Sequence, residues 1–182
     1  MTSRYALFHG PGQPLQVEQA GVPELAPGEV LVSIDLCTLC GSDVHTYQGD
    51  RQVPCPTVLG HEMVGRLVAA GGDEPLRDVN GQTIAVGDRL TWSITASCGE
   101  CFFCRDGLPQ KCTELYKYGH QLHDPGHPLS GGLADHCQLV RGTTLIKVPE
   151  DLDDAVVAPA SCATATVAGA CRVAGIGDGM TV

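Results

Sequence analysis

Aromatic residues are scarce in this sequence: they make up 4% of its 182 residues, although 43% are hydrophobic. A core must therefore be built from valine, leucine, isoleucine and alanine around many of the 23 glycines. This composition favours short strands and tight turns over a bundle of helices. The length suits one large domain, or one and a half small ones, with enough chain to bury a core.

Positive charge is also scarce, because 11 Lys and Arg stand against 21 Asp and Glu, for a net charge of −10. This balance argues against binding to nucleic acid or to an anionic membrane surface. No apolar run reaches the roughly 18 residues of a transmembrane helix. Residues 1–5 lack the apolar segment of a secretory signal, so we expect a cytoplasmic protein with no membrane partner.

Cysteine, by contrast, is abundant, with ten residues. Without a secretory signal, ten cysteines indicate metal ligands and buried thiols more than a disulfide scaffold. Cys40 and His61 offer two of the three protein ligands of a catalytic zinc ion, which keeps one position open for water or substrate. The alternative is a core cysteine and a surface histidine whose hydrogen bonds are satisfied.

Strand patterns surround this pair. Between Val30 and Cys37 apolar and polar residues alternate, which predicts a strand with one buried face that delivers Cys40 at its end. Ser42 is predicted to cap a short helix that Gly49 ends. Further strands punctuated by glycine predict a closed or nearly closed barrel. The Ala-rich segments 151–159 and 162–172 are predicted to be helical, and residues 180–182 to begin a strand.

Four cysteines follow in the spacing C-x2-C-x2-C-x7-C: Cys98, Cys101, Cys104 and Cys112. Two-residue gaps let successive thiolates turn towards one ion, and a fourth thiolate closes a tetrahedron. With no open position, such a site is structural. An iron–sulfur cluster and disulfides are the alternatives to zinc.

These motifs together resemble the zinc-dependent medium-chain alcohol dehydrogenases. The resemblance rests on the four-cysteine lobe and on three further motifs: Cys40-Gly41-Ser42-Asp43-Val44-His45, Gly60-His61-Glu62 and Val86-Gly87-Asp88-Arg89. It implies a mainly β fold with short helices (α+β). Residues 1–150 would form a GroES-like, partly open β-barrel that carries the zinc lobe at 95–117. Residues 151–182 would be a helical connection to a nucleotide-binding domain.

The same resemblance assigns roles near the metal. It makes Cys162 the third ligand of the catalytic zinc and Thr166 a residue that faces the coenzyme. Asp43 would orient His61 from behind, or would simply place a charge at a helix N-terminus. Glu62 would lie close to the metal and ease ligand exchange, or would be an exposed carboxylate.

Ser42 and His45 match the proton relay of this family, in which the proton of the substrate hydroxyl passes through the two side chains to the solvent. The alternative for Ser42 is a role as a helix cap alone. Four other cysteines match no zinc position and are expected to be buried small residues: Cys37, Cys55, Cys137 and Cys171. Three histidines, His120, His123 and His127, form a cluster that is expected to lie in a solvated loop; the alternative is that the cluster approaches the substrate or binds metal adventitiously.

The resemblance thus implies the catalytic portion of an enzyme that interconverts an alcohol and an aldehyde or ketone by hydride transfer. It implies two zinc ions per chain, one catalytic and one structural, and NAD(P) as coenzyme. A homo-oligomer is possible. Within the family, residues 92–98 and 161–167 resemble a bacterial subgroup associated with phosphonate metabolism. No dinucleotide-binding fingerprint precedes Val182, so this portion alone is expected to be inactive. The alternative is a stand-alone zinc-binding GroES-like module without catalysis.

Overall fold

The computed structural model describes residues 1–180. The fold is mainly β with short helices, as predicted, and the strand predicted at 180–182 lies in part outside the described residues. The strands are β1 (Thr2–Phe8), β2 (Gln16–Gly21), β3 (Val30–Thr38), β4 (Thr57–Val58), β5 (Glu62–Ala70), β6 (Arg89–Ala96), β7 (Tyr116–Lys117), β8 (His136–Leu139) and β9 (Thr143–Lys147).

The strands form two antiparallel sheets. The larger has the order β7-β6-β5-β3-β8, with β9 also paired to β6, and the smaller has the order β2-β1-β4. The register of β3 against β5 shifts between Leu31 and Val32 and again between Ile34 and Leu36. Such bulges bend a strand and increase its twist, which lets the larger sheet curl into the predicted partly open barrel.

The start of β3 is buried on both faces, not on the one face that its alternation predicts. Val30 and Val32 pack in the main core, which includes the fully buried Trp92. Leu31 points the other way and packs with Tyr5 of the smaller sheet. The alternation of apolar and polar residues in β3 did not predict the second sheet, which covers the outward face of this strand.

A short helix, α1 (Gly41–Gln48), follows β3 as predicted. Its N-cap is Cys40, not Ser42, and the Asp43 side chain accepts a hydrogen bond from the Cys40 amide at 3.0 Å. The predicted Ser42 cap is therefore wrong. Gly49 ends the helix with a φ of 94°, a left-handed conformation that favours glycine. A second helix, α2 (Phe102–Arg105), lies in the cysteine lobe.

The C-terminal segment contains α3 (Asp154–Val157), a 3₁₀ turn at Ala158–Ser161 and α4 (Ala163–Val173), close to the predicted helical segments. The buried Arg89 attaches α3 to the barrel through an ion pair with Asp154. Among residues 1–180, no single helix is long and apolar enough to cross a membrane. The segments 154–161 and 163–173 have the length and hydropathy of a membrane span only when they are taken together, and the chain bends by 59° between them.

Gly65 marks a close approach of β3 and β5. A Cβ at Gly65 would overlap the carbonyl oxygen of Ser33, which the paired strands hold in place. We expect Gly65→Ala to lower the free energy of unfolding by about 3 kcal/mol or more, as overpacking against backbone does. Urea unfolding measures this loss.

The matched control is Gly169→Ala in α4, where a Cβ meets nothing within 4 Å. That change is expected to be neutral or to stabilise by about 0.5–1 kcal/mol, because alanine favours helix over glycine. Equal effects of the two substitutions would contradict the close approach of the strands.

Candidate metal centres

Three segments that are distant in sequence meet at the first centre. Cys40 lies between β3 and α1, His61 directly precedes β5, and Cys162 directly precedes α4. The Sγ atoms of Cys40 and Cys162 are 4.0 Å apart. The ligand atoms of these three residues and Glu62 all lie within 4.8 Å of one another. The fold therefore brings the predicted pair together with the cysteine that only the family resemblance supplied.

Asp43 contacts the residues that flank this centre and faces the imidazole of His61. Its carboxylate is buried and accepts hydrogen bonds from the amides of Cys40 at 3.0 Å and Gly60 at 3.3 Å. Oδ1 also lies 3.3 Å from Nδ1 of His61. Burial opposes the ionisation of Asp43, but these contacts outweigh it and lower its pKa. Since Nδ1 faces Asp43, Nε2 is the imidazole nitrogen that is left for a metal.

The two thiols require a cation between them if both are to ionise. Burial opposes ionisation of Cys40, but hydrogen bonds from Ser42 and His61 outweigh it and lower its pKa. Burial and the neighbouring Cys40 charge raise the pKa of Cys162 to about 12. A tetrahedron with Zn–S bonds of about 2.3 Å places two thiolates about 3.8 Å apart, which agrees with the observed 4.0 Å. The residues therefore fit a zinc ion.

Glu62 belongs to the centre and is not the exposed carboxylate offered as an alternative. Its side chain is only 4% exposed. Oε2 accepts a hydrogen bond of 2.7 Å from the hydroxyl of Thr38 at the end of β3. The Glu62 carboxylate offers an oxygen within 4.8 Å of both thiol sulfurs.

The remaining predicted site residues lie around the centre but do not form one connected chain. Ser42 is half-buried, whereas His45 is exposed and has Nδ1 3.3 Å from Oδ2 of Asp50. In residues 1–180 no direct hydrogen bond joins Ser42 to His45. Thr166 is exposed on α4, and its hydroxyl donates to the Cys162 carbonyl at 2.7 Å.

The second centre is the cysteine lobe. Its four thiols also lie within 4.8 Å of one another. The Sγ of Cys98 is 3.5 Å from that of Cys112 and 4.0 Å from that of Cys104. These distances are far longer than the roughly 2.05 Å of a disulfide, and all ten cysteines are free. They match the edges of a single Zn–S tetrahedron, whereas a cluster of several irons would hold its thiolates further apart.

Backbone amides inside the lobe favour the ionised form of its thiols. Cys98 and Glu114 both donate N–H groups to the Sγ of Cys112 at 3.3 Å, and these bonds outweigh burial and lower its pKa. Amides of Thr113 and Cys104 lower the pKa of Cys101 to about 6. Burial and the neighbouring Cys101 raise the pKa of Cys104 to about 12 instead, so a bound cation is needed for Cys104 to become a thiolate, the form that binds metal.

Comparison with known proteins decides the family. The protein family described as "Alcohol dehydrogenase GroES-like domain" matches residues 26–150 of the chain. The chain belongs to this family. An alcohol dehydrogenase of Geobacillus stearothermophilus is 36% identical over 169 residues. The crystal structure of an alcohol dehydrogenase from Thermotoga maritima superposes with a TM-score of 0.82 at 33% identity. A zinc-binding dehydrogenase from Sinorhizobium meliloti, bound to NADP, has a TM-score of 0.66 at 30% identity.

The match covers most of this chain but less than half of each relative. It spans 91% of the chain and 45% of the Geobacillus protein, 91% and 46% for the Thermotoga structure, and 85% and 40% for the Sinorhizobium structure. The structural neighbours confirm the GroES-like fold. The chain thus matches the N-terminal, catalytic part of zinc-type alcohol dehydrogenases.

Two further residues of this alcohol dehydrogenase domain lie beside the first centre: His120, which belongs to the histidine cluster of the loop, and Arg51. The ring of His120 meets that of His61 edge-on, with centroids 5.1 Å apart. Arg51 donates from Nη1 to Nε2 of His120 at 2.7 Å. Burial, followed by the Arg51 charge, lowers the pKa of His120 to about 4. No local pattern singled out Arg51, whereas His120 was one of the three histidines whose cluster could approach the substrate.

The expectation of a solvated histidine loop is wrong, because all three of its histidines are half-buried. The ring of His123 stacks on Tyr5 at 5.4 Å, and Nδ1 of His127 lies 3.2 Å from the Tyr116 hydroxyl. Among the four cysteines expected to be buried, Cys137 is fully buried. The other three are half-buried: Cys37, Cys55 and Cys171.

Proposed function

We propose that the chain is the zinc-holding catalytic part of an alcohol dehydrogenase that interconverts an alcohol and an aldehyde or ketone with NAD(P). The observation that carries this proposal is the meeting of Cys40, His61 and Cys162 from three distant segments, with the buried Asp43 behind the imidazole. The names of the relatives, which are alcohol dehydrogenases, support the same chemistry.

Two zinc ions per chain are part of the proposal. The first is held by Cys40, His61 and Cys162, with Glu62 close enough to join them. When bound there, zinc supplies Lewis-acid chemistry that makes a substrate alcohol more acidic. Two thiolates and one neutral imidazole cancel its charge, and Asp43 keeps the imidazole oriented. The second ion is structural, and its four ligands are the lobe residues Cys98, Cys101, Cys104 and Cys112.

Ser42 and His45 move the substrate proton in this proposal. Ser42 follows Cys40 by two residues at the start of α1 and contributes to the lowered pKa of the Cys40 thiol, which supports a role for its hydroxyl in accepting the proton of a substrate hydroxyl. His45 is exposed at the far end of the same helical turn. A histidine at the solvent boundary can pass that proton to water near neutral pH.

The coenzyme and the domain boundaries are proposed as well. The Sinorhizobium relative is bound to NADP, which supports a nicotinamide coenzyme here. Helix α4 has no buried residue and exposes Thr166, which supports residues 151–182 as a connection that faces a nucleotide-binding domain. NAD and NADP are both open as the coenzyme, and the homo-oligomer, the cytoplasmic location and the phosphonate-associated subgroup stay predictions.

Replacement of zinc by Co²⁺ tests the substrate site through visible absorption. Co²⁺ held by sulfur and nitrogen absorbs visible light, and its spectrum changes when a ligand enters the open position. We expect isopropanol to shift the spectrum of the wild-type chain. The Cys40→Ser variant is expected to keep the absorption of the lobe and to lose the response to alcohol. A wild-type spectrum that ignores isopropanol would instead favour a zinc-binding module without catalysis.

A further inference from the structure

Arg51 and His120 form a pair beside the first metal centre that none of the proposed catalytic steps uses. Arg51 follows α1 and is half-buried, with its amide bonded to the His45 carbonyl at 3.2 Å. Its guanidinium donates to His120 at 2.7 Å, and His120 in turn packs edge-on against His61. The cation is therefore separated from a proposed zinc ligand by the width of one imidazole.

The guanidinium of Arg51 has no carboxylate partner among residues 1–180, although the chain is strongly acidic. Three arginines of the described chain are not exposed. Arg66 pairs with Glu150 and Asp35, and Arg89 pairs with Asp154. Arg51 has only an uncharged partner. A half-buried guanidinium with most of its donors unused is prepared to bind an anion.

The hydrogen bonds fix the charge of the neighbouring imidazole. Since Arg51 can only donate, Nε2 of His120 must accept and carries no proton. Nδ1 then donates to the Tyr118 carbonyl at 3.2 Å. His120 is therefore neutral, and it holds the guanidinium without cancelling its charge.

The carboxylates near this pair are already engaged elsewhere. Asp43 binds two backbone amides and faces His61, and Glu62 accepts from Thr38. Asp50, the sequence neighbour of Arg51, lies against His45. The positive charge beside the metal centre thus stays available to a ligand.

We propose that Arg51, positioned by His120, binds an oxyanion on the substrate, so that the preferred substrate is a short alcohol or aldehyde that also carries a carboxylate or phosphate-type group. The proposal rests on the alcohol dehydrogenase function above. The reacting oxygen would lie at the metal centre and the anionic group at the guanidinium, whose planar fork matches two oxyanion oxygens. A carboxylate and a phosphate-type group are both oxyanions, the first planar and the second tetrahedral. The experiment below distinguishes between them.

Calorimetric titration of the zinc-loaded 182-residue chain tests this proposal by binding, without turnover. The probes are β-hydroxypropanoate, its neutral isostere β-hydroxypropanamide, and hydroxyethyl phosphate. We expect at least one anionic probe to bind about tenfold to a hundredfold more tightly than the amide, as a charge-assisted hydrogen bond would provide. Added salt should reduce the preference. A preference for the carboxylate alone, or for the phosphate alone, identifies the form of the oxyanion.

Arg51→Gln should abolish the preference, so that the anionic probes bind no more tightly than β-hydroxypropanamide. Arg51→Lys should keep part of the preference, since it retains the charge but not the fork. The matched control is Arg172→Gln, which removes an exposed arginine on α4 and should change nothing. Equal binding of all three probes to the wild type would overturn the proposal. So would an anion preference that survives Arg51→Gln, because the anion would then bind the metal itself. In either case binding of the amide would still support the alcohol dehydrogenase site.

Discussion

A Cys104→Ser variant is expected to lose the metal of the lobe and to become sensitive to protease between Thr95 and Lys117. Only Cys112 of this segment's cysteines is buried, α2 has no buried residue, and Phe102 is 74% exposed. The lobe therefore has little apolar packing of its own. Structural zinc sites bind with about 10–16 kcal/mol, and that binding energy is folding energy for the segment around them.

Limited proteolysis measures this opening, and cleavage in the lobe should be at least tenfold faster than in the wild type, consistent with the loss of a local folding unit. Cys55→Ser is the matched control, because Cys55 belongs to neither group of metal ligands. His61→Ala should also leave the lobe protected, since it removes a ligand from the other centre. Equal protection of the lobe in Cys104→Ser and in these controls would count against a structural metal.

A Cys162→Ser variant is expected to lose one zinc equivalent and to keep most of its thermal stability. Cys162 lies at the start of the C-terminal helix, whose residues are largely exposed. The first centre also retains Asp43, whose bonds to the amides of Cys40 and Gly60 hold its backbone together without metal. Metal analysis of the variant should return about half of the wild-type zinc, with a small change in melting temperature.

Cys171→Ser provides the control for this experiment, because Cys171 lies near the end of α4, the helix that Cys162 precedes, and joins no ligand group. It should retain the full zinc content. A Cys162→Ser variant with unchanged zinc would show that Cys162 is not a ligand, and a collapse in melting temperature would show that the first centre is structural.

Local spacing was enough to predict the lobe and two ligands of the first centre. The four lobe cysteines lie within 15 residues, so their short gaps force them together wherever the chain folds. Cys40 was predictable because a strand with clear alternation ends just before it. Cys162 carries no comparable signal, because it lies more than 100 residues after Cys40 in the sequence and only the folded chain brings the two together. Only the family resemblance supplied it.

The environment of the first centre escaped prediction for a similar reason. Glu62 was given an exposed alternative, and a solvated loop was preferred for His120 over an approach to the substrate, yet both residues are covered by segments distant in sequence. Gly119 brings His120 to the centre: its φ is +76°, and a Cβ there would lie 2.7 Å from the Gly60 carbonyl. A glycine in a polar loop is a weak signal, since most such glycines only turn the chain. The Arg51 pairing therefore required the structure.

Metal analysis of the wild-type chain, purified without chelator, tests the account most directly. We expect close to two equivalents of zinc per chain and no visible absorbance from iron. A single equivalent that survives Cys40→Ser but is lost in Cys101→Ser would contradict it, because the first centre would then hold no zinc. Iron in place of zinc would contradict the assignment of the lobe.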